Sequence, residues 1–262
     1  MKTKLESFET YRGFAALMIA AIHFNVNSPL SNHILANGFF VHFFFTLSGF
    51  VMYLNYKDRI SNIKNIMKFL KKRFLRLYPL HILFLFIFIC IEISKYFLET
   101  NYGLIANNRA FTINNLQSFI GNLFLVQTFL DYNSFNTPSW SISAEYYTYV
   151  IFAIVILIFP KKNYLIIFFL TLIFFFRISS NEGFGINYTY HSFLDCIYCF
   201  FIGLLSCKFY FKFSNKDFYR SNYQILSFIF LLSSLISMIY FKNEYQYLLP
   251  FFFGFLLFFS AK

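Results

Sequence analysis

The sequence predicts an all-α, polytopic integral membrane helix bundle. Three observations carry that class. Hydrophobic types make up 58% of the 262 residues, with 44 Phe and 20 Tyr, and the mean hydropathy is +0.58. Charged residues are only 13%, about half of what a soluble chain uses to cover its surface. Eight apolar runs approach the roughly 20 residues that a crossing helix needs. Together these exclude a disordered chain, an ordinary soluble enzyme and a nucleic-acid-binding module. One membrane domain over residues 1–262 is expected, and no linker or fixed-period repeat divides it.

The runs fall at 10–26, 38–56, 78–98, 139–159, 163–178, 192–211, 223–241 and 245–261. The first is bracketed by Arg12 and His23, which argues against a discarded signal peptide. The segment Ile60–Pro79 reads as a basic amphipathic stretch lying in the inner interface. Phe119–Leu130 is too short to cross and is expected to be interfacial or re-entrant, within an ordered external loop over 99–138. Cys90, Cys196, Cys199 and Cys207 sit in apolar runs and read as small core residues.

The net charge of +11 is explained by topology. With the N-terminus in the cytoplasm, 18 of the 22 Lys and Arg fall on the inner side and 4 on the outer, as cytoplasmic loops of membrane proteins require. The ionisable groups within spans are Arg12, His23, His42, His81, Glu92, Glu145 and Asp195. Lipid does not solvate such groups, so each is a functional candidate by default. Five of them, His23, His42, Glu92, Glu145 and Asp195, map to the outer half, where one shared polar cavity is expected. Arg12 and His23 are eleven residues apart, about 20° from a whole number of turns and about 16 Å along a helix. That places a surface guanidinium and a deep imidazole on one stripe, a fit for a long ligand with an anionic head. Arg73 and Arg76, three apart on one helix face, suit phosphate oxygens. The "LSG" segment reads as close helix packing at Gly49.

Four motifs resemble the membrane-bound acyltransferase-3 family, bacterial O-acyltransferases of surface polysaccharides. The family's Arg-x10-His motif is similar to "RGFAALMIAAIHF", Arg12 to His23. Its Phe-rich second-span signature is similar to "FFFTLSGF", Phe43 to Phe50. Its Arg-x-x-Arg motif matches "RFLRLYP", Arg73 and Arg76, and its external Trp-Ser-x-Ser-x-Glu motif matches "PSWSISAEYYTY", Trp140 to Glu145. The order and spacing of the four carry the resemblance, over roughly residues 5–160. The later half matches only as a succession of apolar helices. The family usually has ten spans against eight here, so the chain reads as a short variant or one lacking its last spans.

The resemblance implies transfer of an acyl group, acetyl foremost, from acyl-CoA to a hydroxyl of a cell-surface or exported polysaccharide or a lipid-linked glycan. It implies residence in the bacterial inner membrane, among membrane lipids and beside polysaccharide-biosynthesis machinery, without nucleic acid, metal or permanently bound cofactor. Arg12, Arg73 and Arg76 would hold the donor's phosphates. His23 would act as general base or acyl relay, with Glu145 or Asp195 stabilising its imidazolium. Trp140, Tyr146 and His42 would bind the acceptor. The competing expectations are a glycan or lipid flippase, which buried charges fit equally well, and an inactive truncated family member.

Overall fold

The computed structural model of the chain describes residues 6–23, 39–130, 132–159, 163–180, 190–213, 222–240 and 247–261. Their helices are α1 (Glu6–His23), α2 (Phe39–Tyr56), α3 (Ile63–Tyr102), α4 (Leu116–Leu123), α5 (Trp140–Ile158), α6 (Asn163–Ser180), α7 (Tyr190–Phe213), α8 (Tyr223–Tyr240) and α9 (Leu249–Ser260). Every expected span falls on a helix, and no strand occurs among the described residues. Four helical stretches are long and apolar enough to cross a bilayer: Phe39–Tyr56, Ile63–Tyr102, Thr137–Ile158 and Ser192–Phe213. Shorter apolar stretches lie at Leu165–Phe175, Tyr223–Ser237 and Leu249–Ser260. The protein is an all-α membrane helix bundle.

The chain divides into two compact units. The first is drawn from Met1–Ser61, Ile154–Ile186 and Leu194–Lys262. Its helix directions follow from ring contacts. Phe8 meets Phe50 and Phe14 meets Phe40, so α1 and α2 are antiparallel. Phe230 of α8 stacks on Phe255 and Phe259 of α9, while Tyr223 reaches Phe259, so these two are antiparallel as well. Ser7 Oγ donates to the Ser260 carbonyl at 2.7 Å, tying the start of α1 to the end of α9. Helices α2, α7 and α9 therefore run one way and α1 and α8 the other, as the charge-derived alternation requires. Lys57, Lys208 and Lys212 lie at the ends of α2 and α7 that this alternation makes cytoplasmic.

Within this unit α2 and α7 touch backbone to backbone. A Cβ added to Gly49 would sit 1.8 Å from the Phe200 carbonyl oxygen, and one added to Gly203 would sit 1.8 Å from that of Thr46. Only glycine fits either position, and two long apolar helices without a water-driven force between them gain from such close packing. The fully buried Phe50, Phe200 and Phe201 fill the space around this crossing.

The second unit is drawn from Asn62–Ala153 and Asn187–Phe193. Asn62 caps α3, its Oδ1 accepting the Asn65 N–H at 2.9 Å. Gly103 ends the helix at φ 67, a left-handed position that favours glycine. The amphipathic stretch and the third span are not separate. They form one helix of 40 residues that continues through Pro79, about 60 Å long. Proline removes one backbone donor, but an apolar run keeps the neighbouring hydrogen bonds because its backbone has no water to turn to. Helix α5 lies antiparallel to the first half of α3: Phe152 and Tyr149 pack on Phe69, and Tyr146 packs on Phe74. Beyond His81, Leu83, Phe86, Ile87, Ile91 and Ile93 are exposed, the expected condition of a lipid-facing surface.

Buried polar side chains tie the connecting loop to itself and to α3. Glu92 is buried, and its carboxylate accepts the Phe111 N–H at 2.9 Å, Asn114 Nδ2 at 2.9 Å and Lys95 Nζ at 3.0 Å. Asn122, fully buried, donates to the Ser118 and Asn133 carbonyls. Its own carbonyl meets His81 Nε2 at 2.8 Å. The 119–130 piece thus folds back against the middle of α3.

Replacing Gly49 or Gly203 with Ala is expected to cost about 1–3 kcal/mol through overpacking. The purified protein should then melt several degrees lower in detergent; an unchanged melting curve would remove the glycine contact from the account. Glu92→Ala should expose the 103–115 segment to limited proteolysis at a protease dose that spares the parent chain, since three donors lose a buried acceptor.

Candidate active site

The candidate residues fall in three places. On α1, Arg12 and His23 both lie within one continuous helix, Glu6–His23. Arg12 is half-exposed and paired with Glu9 on its own helix, Nη1 to Oε1 at 3.1 Å and Oε2 at 3.2 Å. The guanidinium is thereby held over one turn of α1. The His23 side chain lies outside the described residues.

In the same unit the structure pairs His42 with Asp195. Both are buried, and His42 Nε2 stands 3.9 Å from Asp195 Oδ2. The pair sits about two turns toward the outer end of α2 from the glycine crossing. Thr46, one turn further in, donates its hydroxyl to the His42 carbonyl at 2.9 Å. The sequence places both residues one turn into their helices from outside, so their common depth was legible. Their partnership needed the parallel α2–α7 packing. Asp195 therefore has an imidazole neighbour, and it is His42.

In the second unit two motifs meet. The Tyr149 hydroxyl donates to Glu145 Oε1, one turn before it on α5. The Arg73 guanidinium lies 5.7 Å from the Phe69 ring centroid and 5.9 Å from that of Tyr149, within cation–π range. A guanidinium, a phenol and a carboxylate therefore form a chain from the Arg-x-x-Arg motif to the Trp-Ser-x-Ser-x-Glu motif. This corrects the depth read from sequence, which sets Arg73 at the inner surface and Glu145 near the outer one. The uninterrupted α3 and the folded-back loop, which hangs on Tyr78 and His81, bring both residues to a common level. Arg76 is exposed on the next turn of α3.

Around this chain the aromatic side chains are packed. Phe74 stacks on Tyr78 at 4.3 Å and meets Tyr146 at 5.8 Å, and Tyr146 meets Tyr147 at 5.6 Å. Trp140 is 4% exposed, so its ring is a packing element of α5 and not an open platform. Tyr146 is half-buried and keeps an accessible edge. Among the described residues of this unit, the loop holds Glu92 and Tyr149 holds Glu145.

Sequence reasoning missed the polar clamp that positions the motif helix. Gln127 Nε2 donates to the Ser139 carbonyl at 3.2 Å, Thr128 Oγ1 to the Trp140 carbonyl at 3.1 Å, and Ser143 Oγ to the Leu125 carbonyl at 2.5 Å. All three side chains are fully buried. The clamp fixes the start of α5 by tying the carbonyls of Ser139 and Trp140 to the loop and the Ser143 hydroxyl back to it. The one available signal was the i, i+4 spacing of Glu145 and Tyr149.

The family model described as an acyltransferase domain, that of the acyltransferase-3 family, matches residues 5–262. A curated protein of Streptomyces mycarofaciens, "Acyltransferase MdmB", is 30% identical over 162 residues, which take in 57% of this chain and 38% of that protein. The chain thus matches well under half the length of that relative. No solved structure matches. The motif order, the helical membrane architecture and a family match that runs nearly end to end place this chain in the membrane-bound acyltransferase-3 family.

Proposed function

We propose that the protein transfers an acyl group, acetyl foremost, from acyl-CoA to a hydroxyl of an exported polysaccharide or lipid-linked glycan at the bacterial inner membrane. Family membership supports acyl transfer. The observation that carries the finer reading is the meeting of Arg73, Tyr149 and Glu145. Acyl transfer from a thioester needs a cation for an anionic donor and a carboxylate–donor pair near the reacting oxygen, and two sequence motifs converge on that combination.

In this reading Arg12, Arg73 and Arg76 attract the donor's phosphates, planar guanidiniums being suited to paired phosphate oxygens. The acceptor oxygen attacks the thioester carbonyl. A carbon–oxygen bond forms, the carbon–sulfur bond breaks, and the hydroxyl proton passes to the imidazole of His23 and from there to the leaving thiolate. An imidazole suits this role because its ordinary pKa lies near the working pH. Within the second unit Tyr149 holds the Glu145 carboxylate, the kind of group that stabilises an imidazolium in a hydrolase triad. The half-buried edge of Tyr146 receives the acceptor, within a wall that Trp140 packs.

A second reading has a specific observation in its favour. His42 already has a buried carboxylate, Asp195, 3.9 Å away, the arrangement of a base with its orienting group. In that version His42 takes the proton.

Single replacements separate the two. His23→Ala should abolish acetyl transfer from acetyl-CoA while the protein still accumulates in the membrane, and His42→Ala should leave at least a tenth of the rate; the reverse pattern assigns the base to His42. Arg73→Ala combined with Arg76→Ala should raise the KM for acetyl-CoA by roughly tenfold or more, the loss of charge-assisted hydrogen bonds. Tyr149→Phe should lower kcat more than KM for the donor, since it frees the carboxylate without removing a phosphate contact. A protein that moves glycan but leaves acetyl-CoA intact under all conditions would instead be a transporter.

A further inference from the structure

The first unit contains a groove lined by none of the residues assigned to acyl transfer. It is a cavity of about 330 Å³ between α7 and α9, lined on one side by Ile202, Phe209 and Phe213 and on the other by Phe251, Phe255 and Phe259. Among the described residues its only polar lining side chain is Ser206, whose hydroxyl already donates to the Ile202 carbonyl at 3.0 Å. Along α7 the lining runs from Ile202 to Phe213, about 16 Å, which is about the hydrocarbon depth of one leaflet. Beside the groove the two helices approach closely: a Cβ added to Gly254 of α9 would lie 2.5 Å from Ser206 Oγ and 3.1 Å from Ile202 Cγ2 of α7.

One end of the groove is cationic. The Lys212 ammonium lies 5.5 Å from the ring centroid of Phe213, itself a lining residue. Lys208, one turn earlier, and Lys57 add charge near this end on the α2-facing side of α7, 5.8 Å from the Tyr53 ring and 3.3 Å from that of Phe211, with the Asp58 carboxylate 4.0 Å from Lys57. Neither α9 nor the part of α7 beyond Asp195 carries a carboxylate. The charge alternation makes this end cytoplasmic. An apolar slot one leaflet deep, closed by ammonium groups at the inner surface, has the two halves of an anionic lipid's chemistry.

We infer that the α7–α9 groove is a binding site for an anionic phospholipid of the inner leaflet. One acyl chain lies along the phenylalanines and the phosphate sits at Lys212 and Lys208. The charge complementarity selects this occupant over a second copy of the chain, whose inner surface would bring further lysines to the same place. The site is distinct from Arg73, Tyr149 and Glu145, so it stands or falls apart from the catalytic reading.

Native mass spectrometry of the detergent-purified protein tests it, with phosphatidylglycerol and phosphatidylcholine of identical acyl chains added in turn. One phosphatidylglycerol per chain should be retained roughly tenfold more tightly than phosphatidylcholine, as two lysines near a phosphate imply. Lys208→Ala with Lys212→Ala should erase that preference while weak retention of either lipid persists. Leu205→Trp, which fills the groove, should reduce retention of both. Equal retention of the two lipids by the parent chain, no effect of the lysine replacements, or a lipid-resistant dimer formed through this face would each overturn the inference.

Discussion

Two glycines on separate helices set the geometry of the first unit. Because Gly49 and Gly203 have no side chains, α2 and α7 approach until a carbonyl oxygen occupies the place of a missing methyl. Lipid tails are as apolar as leucine, so helices in a bilayer associate through close packing and polar contact, not through release of water. The parallel crossing that results brings His42 opposite Asp195 at one end and collects Lys57, Lys208 and Lys212 at the other. One close approach therefore positions both a buried acid–imidazole pair and a cationic rim.

The second unit works by a different device. Its motif helix is held by hydrogen bonds from Gln127 and Thr128 to the Ser139 and Trp140 carbonyls at its start, and from Ser143 on the helix to the Leu125 carbonyl of the loop. Each of those side chains is buried, where an unmade bond is costly, so the loop has little freedom to rearrange. The same loop ties off Glu92 and His81. Those two read as functional from their position in an apolar run, and they are structural. A membrane helix carries charges for two reasons, chemistry and the anchoring of non-helical segments, and the partners tell them apart.

The chain belongs to the acyltransferase-3 family, and four sequence motifs carry its resemblance. Two of them converge on Tyr149, which no motif reading singled out as the connecting residue. The tyrosine is legible afterwards as the i+4 neighbour of Glu145, and the Arg73 contact depends on α5 packing antiparallel to the first half of α3, a helix that also continues through Pro79. A proline after a basic stretch reads as a helix boundary; the demand for internal hydrogen bonds in an apolar setting overrides it.

The sequence by itself determined the helices, their direction of crossing, the depth of His42 and Asp195 and the tight packing at Gly49, because hydropathy, charge asymmetry and glycine size act locally along a chain. The tertiary structure alone decided that Asp195 meets His42, that Arg73 and Glu145 share a level and that Trp140 is a packing residue. Those outcomes depend on which helices become neighbours and in what register. Register between apolar helices is fixed by a few small residues and buried hydrogen bonds far apart in the chain, which leave no periodic trace in the sequence.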